Sequence, residues 1–437
     1  MKIMVVGHGG REHAIALALA HSSYHPELIA FMSYKNPGVE KLCSKVIFGE
    51  MRNVDNIVSS AWDNKVDMVM VGPEEPLIFG VIDHIIKKGI PCIGPQQNLA
   101  KLEGDKSYLR EIISRSVPDA NPVYKICNNT DDIKAFLKSF INVAVKPLGL
   151  TGGKGVKVTG AHLHNQSAVI AYANEIINKE NKVLLEEKLD GEEFSLMAFS
   201  DGSHLIPMPL AQDAKYAYEE DKGPMTGGMG AYTQADHLLP FINRNTYEKS
   251  FEILQKVINE VQEENEEYYH GIVYGQFMLT AKGPKLIEVN VRFGDPEAIN
   301  VLSLIRNDLV DVLMKVALSL LSQVEFAHLA SVCKYLVPIG YPETNPKPMQ
   351  IKIDEKIFKE ESTQLIYAGA ESVNGFIQTT GARFAAVLAN RVTIEAAERA
   401  VEHTIERMQL KGFRHRKDIA TIELINKRIN HLQMVMR

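Results

Sequence analysis

Three groups of residues in this chain have types and spacings suited to chemistry. The first is Gly149-Leu150-Thr151-Gly152-Gly153-Lys154-Gly155, four glycines and a lysine in seven positions, directly after a strand-like run ending in Lys146. Glycines let backbone N–H groups approach an anion closely, and lysine adds positive charge. It is not a Walker A loop, since with Gly153-Lys154 as the Gly-Lys the opening position is Leu148 and the hydroxyl position Gly155. Alone, such a segment is also compatible with a surface hairpin. The second group, Gly223-Pro224-Met225-Thr226-Gly227-Gly228-Met229-Gly230, preceded by Gln212, Asp213 and Lys215, favours the anion cradle. Two phosphate-sized cradles in one region suit a nucleotide and a second anionic ligand.

The third group is the strand-like run 285–292. Alternation puts Glu288, Asn290 and Arg292 on one face, with Ile287, Val289 and Val291 on the other. Glu288 and Asn290 offer hard oxygens about 7 Å apart along a strand, a grip for Mg²⁺ bound to phosphates. Arg292 on the same face could clamp a carboxylate, and Asp295 and Glu297 follow at once. A polar strand face is by itself more often solvent-exposed, but the two glycine loops in the same region favour a binding role.

Glu186-Glu187 and Glu192-Glu193 flank Asp190-Gly191 at a turn between strands. Four carboxylates this close repel unless solvated or hydrogen-bonded. They read either as an exposed hairpin or as a site where one carboxylate accepts from ribose hydroxyls and the neighbouring backbone meets an adenine edge. Gly7-x-Gly9 invites a dinucleotide reading, but the third glycine is Glu12 and the second strand ends Phe31-Met32-Ser33 without an acid. A smaller ligand's phosphate at a helix N-terminus beside Arg11 explains the glycines as well. His13 reads as packed or capping, and no Ser/His/Asp or Cys/His arrangement stands out.

Elements must position these groups. Strand-like runs at 3–6, 28–31, 46–48, 66–71 and 90–93 alternate with helical patterns such as 11–20 and 81–87, which implies βαβ units and a parallel sheet. Ligands bind outside the carboxyl ends of such strands, where 7–10 and 72–76 fall. From residue 102 onward, strands at 143–146, 156–158, 183–186, 194–199, 271–280 and 285–291 are joined by glycine-rich loops, with a polar helix over 245–264, an α+β pattern. The last region, from about 331, reads as a Pro-rich connection (Pro338, Pro342, Pro346, Pro348) before a strand over 384–388 and a helix over 394–408. The charged run 260–267 reads as a solvated helix end. The expected domains are 1–101, an α/β domain; 102–328, with a small lid subdomain over about 122–190; and 329–437, a small α+β domain.

The 437 residues, 45% hydrophobic and 23% charged, match a soluble multidomain protein with a substantial core. A net charge of −6 argues against nucleic acid as the main partner. Four scattered cysteines argue against a disulfide framework and suit a reducing cytosol. Neither a signal-peptide core nor a run near the roughly 18–20 apolar residues of a membrane span is present. The expected location is cytoplasmic.

In order along the chain, Gly7-His8-Gly9-Gly10-Arg11-Glu12-His13-Ala14, Val71-Gly72-Pro73-Glu74, Leu102-Glu103-Gly104-Asp105-Lys106, the 146–155 loop, Gly227-Gly228-Met229-Gly230 and Asn290-Val291-Arg292-Phe293-Gly294-Asp295-Pro296-Glu297 closely resemble the phosphoribosylamine–glycine ligase family (glycinamide ribonucleotide synthetases), ATP-grasp enzymes of purine synthesis. The resemblance runs end to end, and Phe413-Arg414-His415-Arg416-Lys417-Asp418-Ile419 looks like the family's closing motif. It implies an N-terminal substrate domain, an ATP-grasp fold, and ligation of glycine to 5-phosphoribosylamine through a glycyl phosphate, with ATP and Mg²⁺ or Mn²⁺ required. Lys106, Lys146, Gly152, Gly153, Lys154, Gly155, Glu186, Glu187 and Glu193 would serve ATP, the last two near adenine and ribose. Glu288 and Asn290 would hold the metal, Arg292 the glycine carboxylate, and Asp213 and Asp295 would lie near the reacting amines. Gly9, Gly10, Arg11, Glu74, Gly227 and Gly228 would bind substrate. The implied protein is a monomer or weak homodimer acting on small molecules, with no nucleic-acid or membrane partner.

Two positions depart from the family pattern: Ala214 where histidine is usual, and Met225 where asparagine is usual. If those side chains touch substrate in relatives, rate or affinity falls here, or another amine is accepted. Rival readings are another ATP-grasp ligase or carboxylase, a nucleotide sensor without turnover, and a nicotinamide oxidoreductase. The intact Lys154, Glu288, Asn290 and Arg292 argue against the sensor.

Overall fold

The computed structural model describes residues 1–150 and 155–437. It is a multidomain α/β and α+β protein. Strand Lys2–Val6 sits at the centre of a five-stranded parallel sheet, flanked by Glu27–Met32 and Lys45–Phe48 on one side and by Met68–Val71 and Cys92–Ile93 on the other. The inner strands are apolar nearly throughout and are buried, as a parallel sheet covered by helices requires. Helix Gly10–Ala20 starts at the carboxyl end of the first strand, where the Glu12 carboxylate turns back to accept the Gly9 N–H at 2.5 Å. Its apolar residues Ala14, Ile15 and Leu19 share one buried cluster with Ile299 and Leu302 of helix Glu297–Leu304, and with Tyr335. The N-terminal unit is therefore packed into the body of the molecule.

Residues 122–190 fold around their own sheet, Tyr124–Cys127, Val183–Glu187, Val143–Lys146 and Lys157–Val158, backed by helices Thr130–Ser139 and Gln166–Glu180. Asn129 and Asn165 cap the two helices with side-chain oxygens. Ile133, Phe136, Val145, Val169, Ile176 and Leu185 form a separate apolar cluster there. A second antiparallel sheet joins Leu205–Pro207, Glu192–Asp201, His270–Thr280 and Gly283–Asn290. Among the described residues no helix is long and apolar enough to cross a membrane.

The third large sheet corrects the reading of the last region. Instead of opening with a proline-rich connection, that region opens with strand Ala330–Pro338, all nine residues buried. It pairs with Gly230–Thr233 on one side and Ala385–Arg391 on the other, so the sheet is shared across the proposed 328/329 division. Lys334 obscured this strand in the sequence, because a lysine seldom lies fully buried. Its ammonium is satisfied by Glu398 at 2.8 Å, Glu402 at 2.7 Å and the Lys417 carbonyl at 2.7 Å. The run 260–267 ends helix Arg244–Asn265 at the surface, and Glu260 and Glu264 pair with Arg115.

Burial pushes the Glu402 carboxyl up, but His415 and Lys334 outweigh it and hold it down at about 2. The folded value lies below the unfolded one, so this stabilisation is complete above about pH 4.5 and fades as pH falls toward 2. Lys334→Ala should destabilise the protein by roughly 3–5 kcal/mol at pH 7, by leaving Glu398 without its cation and Glu402 with His415 alone. The gap from wild type in urea unfolding should narrow at pH 4.

Candidate active site

Strand Gly283–Asn290 pairs antiparallel with His270–Thr280, and the register slips at Ile287, so Gln276 faces Glu288 while Phe277 faces Leu286. This bulge changes the expected alternation. Leu286, Val289 and Val291 are the core residues, and Ile287 is only half-buried. The consecutive carbonyls it turns aside, Leu286 and Ile287, are taken by the buried Arg110, at 2.8 Å for Leu286. Glu288 and Asn290 still share one face, with Asn290 Nδ2 at 3.5 Å from Glu288 Oε1. Burial raises the Glu288 carboxyl, but Lys215, Lys146 and Lys106 together hold it below its usual range, so it is ionised. Two hard oxygens with an ionised carboxylate fit a divalent cation that takes its remaining ligands from phosphates and water. Among the described residues no cluster of three His, Cys, Asp or Glu side chains forms a metal cage.

Lys106 and Lys146 converge on this face from helix Lys106–Ser116 and strand Val143–Lys146. Lys106 Nζ donates to the Gly149 carbonyl at 2.7 Å, and burial and Lys146 lower its pKa. Lys146 pairs with Glu186 at 2.6 Å, and the same carboxylate accepts from Arg110 at 2.6 Å. Glu186 is thus a fully buried counter-ion for two cations, not a free acceptor for ribose. Of the expected phosphate loop, Gly155 accepts from Tyr172 at 2.7 Å; Gly152, Gly153 and Lys154 lie outside the described residues. Glu187 accepts the Val123 N–H at 2.9 Å. Glu192 is bound by Arg428 at 3.2 Å and His431 at 2.7 Å, and Glu193 by Gln276 at 3.0 Å and Lys215 at 3.2 Å. The four carboxylates therefore escape repulsion by taking separate partners, and Glu193, more than a third exposed, borders the open side.

The second glycine loop is partly strand. Lys222–Met225 pairs with Tyr216–Tyr218, and only 226–229 lies outside strands, before strand Gly230–Thr233. Thr226 N–H and Met229 N–H donate to the carbonyls of Lys215 and Ala214, which draws Gly228 against Asp213. Asp213 is half-buried, and its Oδ1 is shielded from solvent with no partner among the described residues. Burial, then Glu297, raises its pKa well above the usual carboxylate range, against Lys215 and Arg383. Glu297, at the start of its helix, accepts the Tyr274 hydroxyl at 2.7 Å. Asp295 accepts from Tyr335 at 2.7 Å and from Arg383 at 3.0 Å. Ala214 belongs to the apolar core, and Met225 pairs across the hairpin with Tyr216.

Arg292 lies just past the strand and joins the N-terminal unit to this face. It donates to Asn290 Oδ1 at 3.2 Å and the Phe293 carbonyl at 3.1 Å, and pairs with Glu103 at 2.9 Å and Glu74 at 3.3 Å. Glu103 also accepts the Val291 N–H at 2.7 Å, and burial pushes it up to about 7 against the pull of Arg292. Arg11 is buried too, bound to Glu12 at 2.6 Å and the Phe293 carbonyl at 3.1 Å, with Glu74 at 3.9 Å. Gly9 begins the first helix, and a Cβ on Gly10 would collide with the Tyr335 hydroxyl. His13 is packed, as expected: it accepts the Tyr367 N–H at 2.8 Å and burial depresses it to about 3.

The structure thus brings together Arg11, Glu74 and Arg292; Lys106, Lys146, Glu288 and Asn290; and Asp213, Asp295, Gly227 and Gly228. Sequence reasoning assigned no role to Glu103, Arg110, Gln276, Tyr335 or Arg383. Glu103 lay in a quoted motif and Gln276 opposite Glu288, but nothing local marked Arg110 or Arg383.

Residues 1–103, 104–298 and 331–422 match the N domain, the ATP-grasp (A) domain and the C domain of phosphoribosylglycinamide synthetase. A phosphoribosylamine–glycine ligase from Methanobrevibacter smithii is 42% identical over 100% of both chains. One from Pyrococcus furiosus is 41% identical over 98% of this chain and 96% of its own. In three dimensions the chain is similar to a phosphoribosylamine–glycine ligase from Thermotoga maritima, with TM-score 0.80, 24% identity, and 96% of this chain and 100% of that one covered. A biotin carboxylase from Campylobacter jejuni shares the fold, with TM-score 0.72, 15% identity, and 99% and 98% covered.

Gly228 has φ +88°, and a Cβ there would come within 2.5 Å of Asp213 Oδ1 and 2.6 Å of Pro296 Cδ. Gly283 has φ +93° with open space around it. Each alanine variant should lose about 1–2 kcal/mol from backbone strain alone. Gly228→Ala should lower the thermal midpoint further than Gly283→Ala; equal shifts would contradict the crowding against Asp213.

Proposed function

The chain belongs to the phosphoribosylglycinamide synthetase family, and from that premise we propose how its residues divide the work. It is an ATP-dependent carbon–nitrogen ligase of purine biosynthesis that joins glycine to 5-phosphoribosylamine, and it uses ATP and a divalent metal. In our reading the glycine carboxylate attacks the γ-phosphate, and ADP leaves. The ribosylamine nitrogen then adds to the carbonyl of the glycyl phosphate, a C–N bond forms, the C–O bond to phosphate breaks, and the amine gives up a proton. The protein positions charged partners and neutralises them, with no covalent nucleophile.

Lys106, Lys146 and Gly155, with Gly152, Gly153 and Lys154, meet the phosphates, while Glu187 and Glu193 border adenine and ribose. Glu186 acts one step removed, holding Lys146 and Arg110 in place. Glu288 and Asn290 would hold the cation, assigned as Mg²⁺ or Mn²⁺, which when bound would supply positive charge to the transferring phosphoryl group. Gly9, Gly10, Arg11 and Glu74 take the phosphoribosyl end, and Gly227 and Gly228 line the substrate. Arg292 orients the glycine carboxylate through whichever N–H its carboxylate partners leave available. Asp295 lies near the amine, and Asp213 takes its proton.

The observation that carries this reading is Asp213: a half-buried carboxyl whose Oδ1 is shielded from solvent and unpartnered among the described residues, with a pKa raised by burial and by Glu297. A base for an amine works best with a pKa drawn toward neutrality. A carboxylase reading has less support, because Ala214 points its methyl into the core and leaves the departure from the family pattern without a place at the substrate. We also assign the protein to the cytoplasm, where its four free cysteines stay reduced, as a monomer or weak homodimer.

ADP release with Mg²⁺, ATP and 5-phosphoribosylamine made in situ should require glycine, and bicarbonate should not replace it. Glu288→Ala should reduce turnover by on the order of 10²–10³-fold with the fold intact; near-normal turnover would remove the metal assignment. Wild-type kcat should fall on the acid side as Asp213 gains its proton. Asp213→Asn should be slow at every pH and lack that limb.

A further inference from the structure

One half-buried cation outside this division of labour, Arg383, stands where its parts meet. Arg383 precedes strand Ala385–Arg391 in the C-terminal segment, far in sequence from everything it binds. Its guanidinium donates to the carbonyls of Gly227, of Gly228 at 2.7 Å and of Asp295 at 3.2 Å, and to Asp295 Oδ2 at 3.0 Å. It lies 4.4 Å from the centroid of the Tyr335 ring, whose hydroxyl donates to the other Asp295 oxygen at 2.7 Å. A guanidinium largely withdrawn from water needs partners for its donors, and here two segments of the candidate site supply them.

The carbonyls matter because a trans peptide directs its C=O and N–H oppositely. Fixing the Gly227 carbonyl on Arg383 turns the Gly228 N–H away from it. Gly228 is buried, and among the described residues its N–H has no acceptor. A buried backbone donor without a partner is rare and points to a group that arrives with the substrate.

We propose that Arg383 is a positioning residue for the ligation: it sets the Gly227–Gly228 peptide so that the Gly228 N–H meets the carboxyl oxygen of the amino-acid substrate, and it fixes Asp295 alongside. This rests on the ligase reading above. When the amine adds to the acyl phosphate, negative charge gathers on that oxygen, and a donor already aimed at it stabilises the charge without reorganisation. Lysine cannot substitute, because an ammonium lacks the planar fork that reaches carbonyls and carboxylate together.

The test uses the full chain, with ADP release measured in the presence of Mg²⁺, ATP, glycine and 5-phosphoribosylamine made in situ. Arg383→Ala should lower kcat on the order of 10²–10³-fold. The KM for ATP should stay within about twofold. Added guanidinium ion should recover roughly tenfold or more of the lost rate, and Arg383→Lys should stay as slow as the alanine variant. Near-wild-type kcat in Arg383→Ala overturns the proposal. So does a loss shared by kcat and ATP affinity that guanidinium does not restore, since that marks a residue needed only for folding. Tyr335→Phe keeps the ring and removes the hydroxyl from Asp295, and should be about tenfold slower. If Arg383→Ala does not fold, an unchanged kcat in Tyr335→Phe overturns the proposal instead. Wild-type protein that releases no ADP with glycine would overturn the ligase reading itself, and this proposal with it.

Discussion

The site depends on one largely enclosed cation and the carboxylates that balance it. Arg292 sits past the end of strand Gly283–Asn290, bound to Glu103 and Glu74 from the N-terminal part of the chain and to Asn290 from its own strand. Removing a guanidinium from water is unfavourable by several kcal/mol unless carboxylates surround it. Those carboxylates come from elsewhere in the chain, so satisfying the charge forces the N-terminal parallel sheet and the antiparallel ATP-grasp sheet into one relative position. Glu103 reinforces this by also accepting the Val291 N–H, which fixes the backbone next to Arg292.

The same rule recurs around the cleft. Arg110, Lys146 and Glu186 form a buried cation–anion–cation unit that ties helix Lys106–Ser116 to the small subdomain sheet and to the bulged carbonyls behind Glu288. Lys215 lies between Glu193 and Glu288, at 3.2 and 4.0 Å. Arg383 answers Asp295 from the third sheet. Each of these ion pairs joins residues that are not neighbours in sequence. Asp213 differs, because its Oδ1 has no partner among the described residues, and burial and Glu297 raise its pKa against Lys215 and Arg383.

Much of the fold was legible because burial leaves periodic traces. The parallel strands at 3–6, 28–31 and 46–48 and the helix over 394–408 lie close to where apolar spacing predicted them. Strand Ala330–Pro338 was not legible, because Lys334 interrupts its apolar run and its charge is answered by glutamates on a distant helix. Strand Gly283–Asn290 was legible as a strand, with Glu288 and Asn290 on one face as the alternation predicts, but the slip at Ile287 was not, since a bulge depends on the partner strand. Glu186 and Glu193 looked alike in sequence. Burial against two cations made the first a structural counter-ion, and exposure left the second at the open side.

The sequence by itself determined the residue types available for chemistry, the order of strands and helices, and the motifs that mark the family. These are local properties: side-chain charge, glycine content, and the period of apolar residues. Only the tertiary structure decided which of those groups share a space, that Arg292 and Arg11 face carboxylates, that Gly227 and Gly228 turn their carbonyls to Arg383, and that Asp213 lacks a partner. The reason is physical. Burial and charge balance set the protonation and orientation of each group, and both depend on neighbours up to hundreds of residues away along the chain.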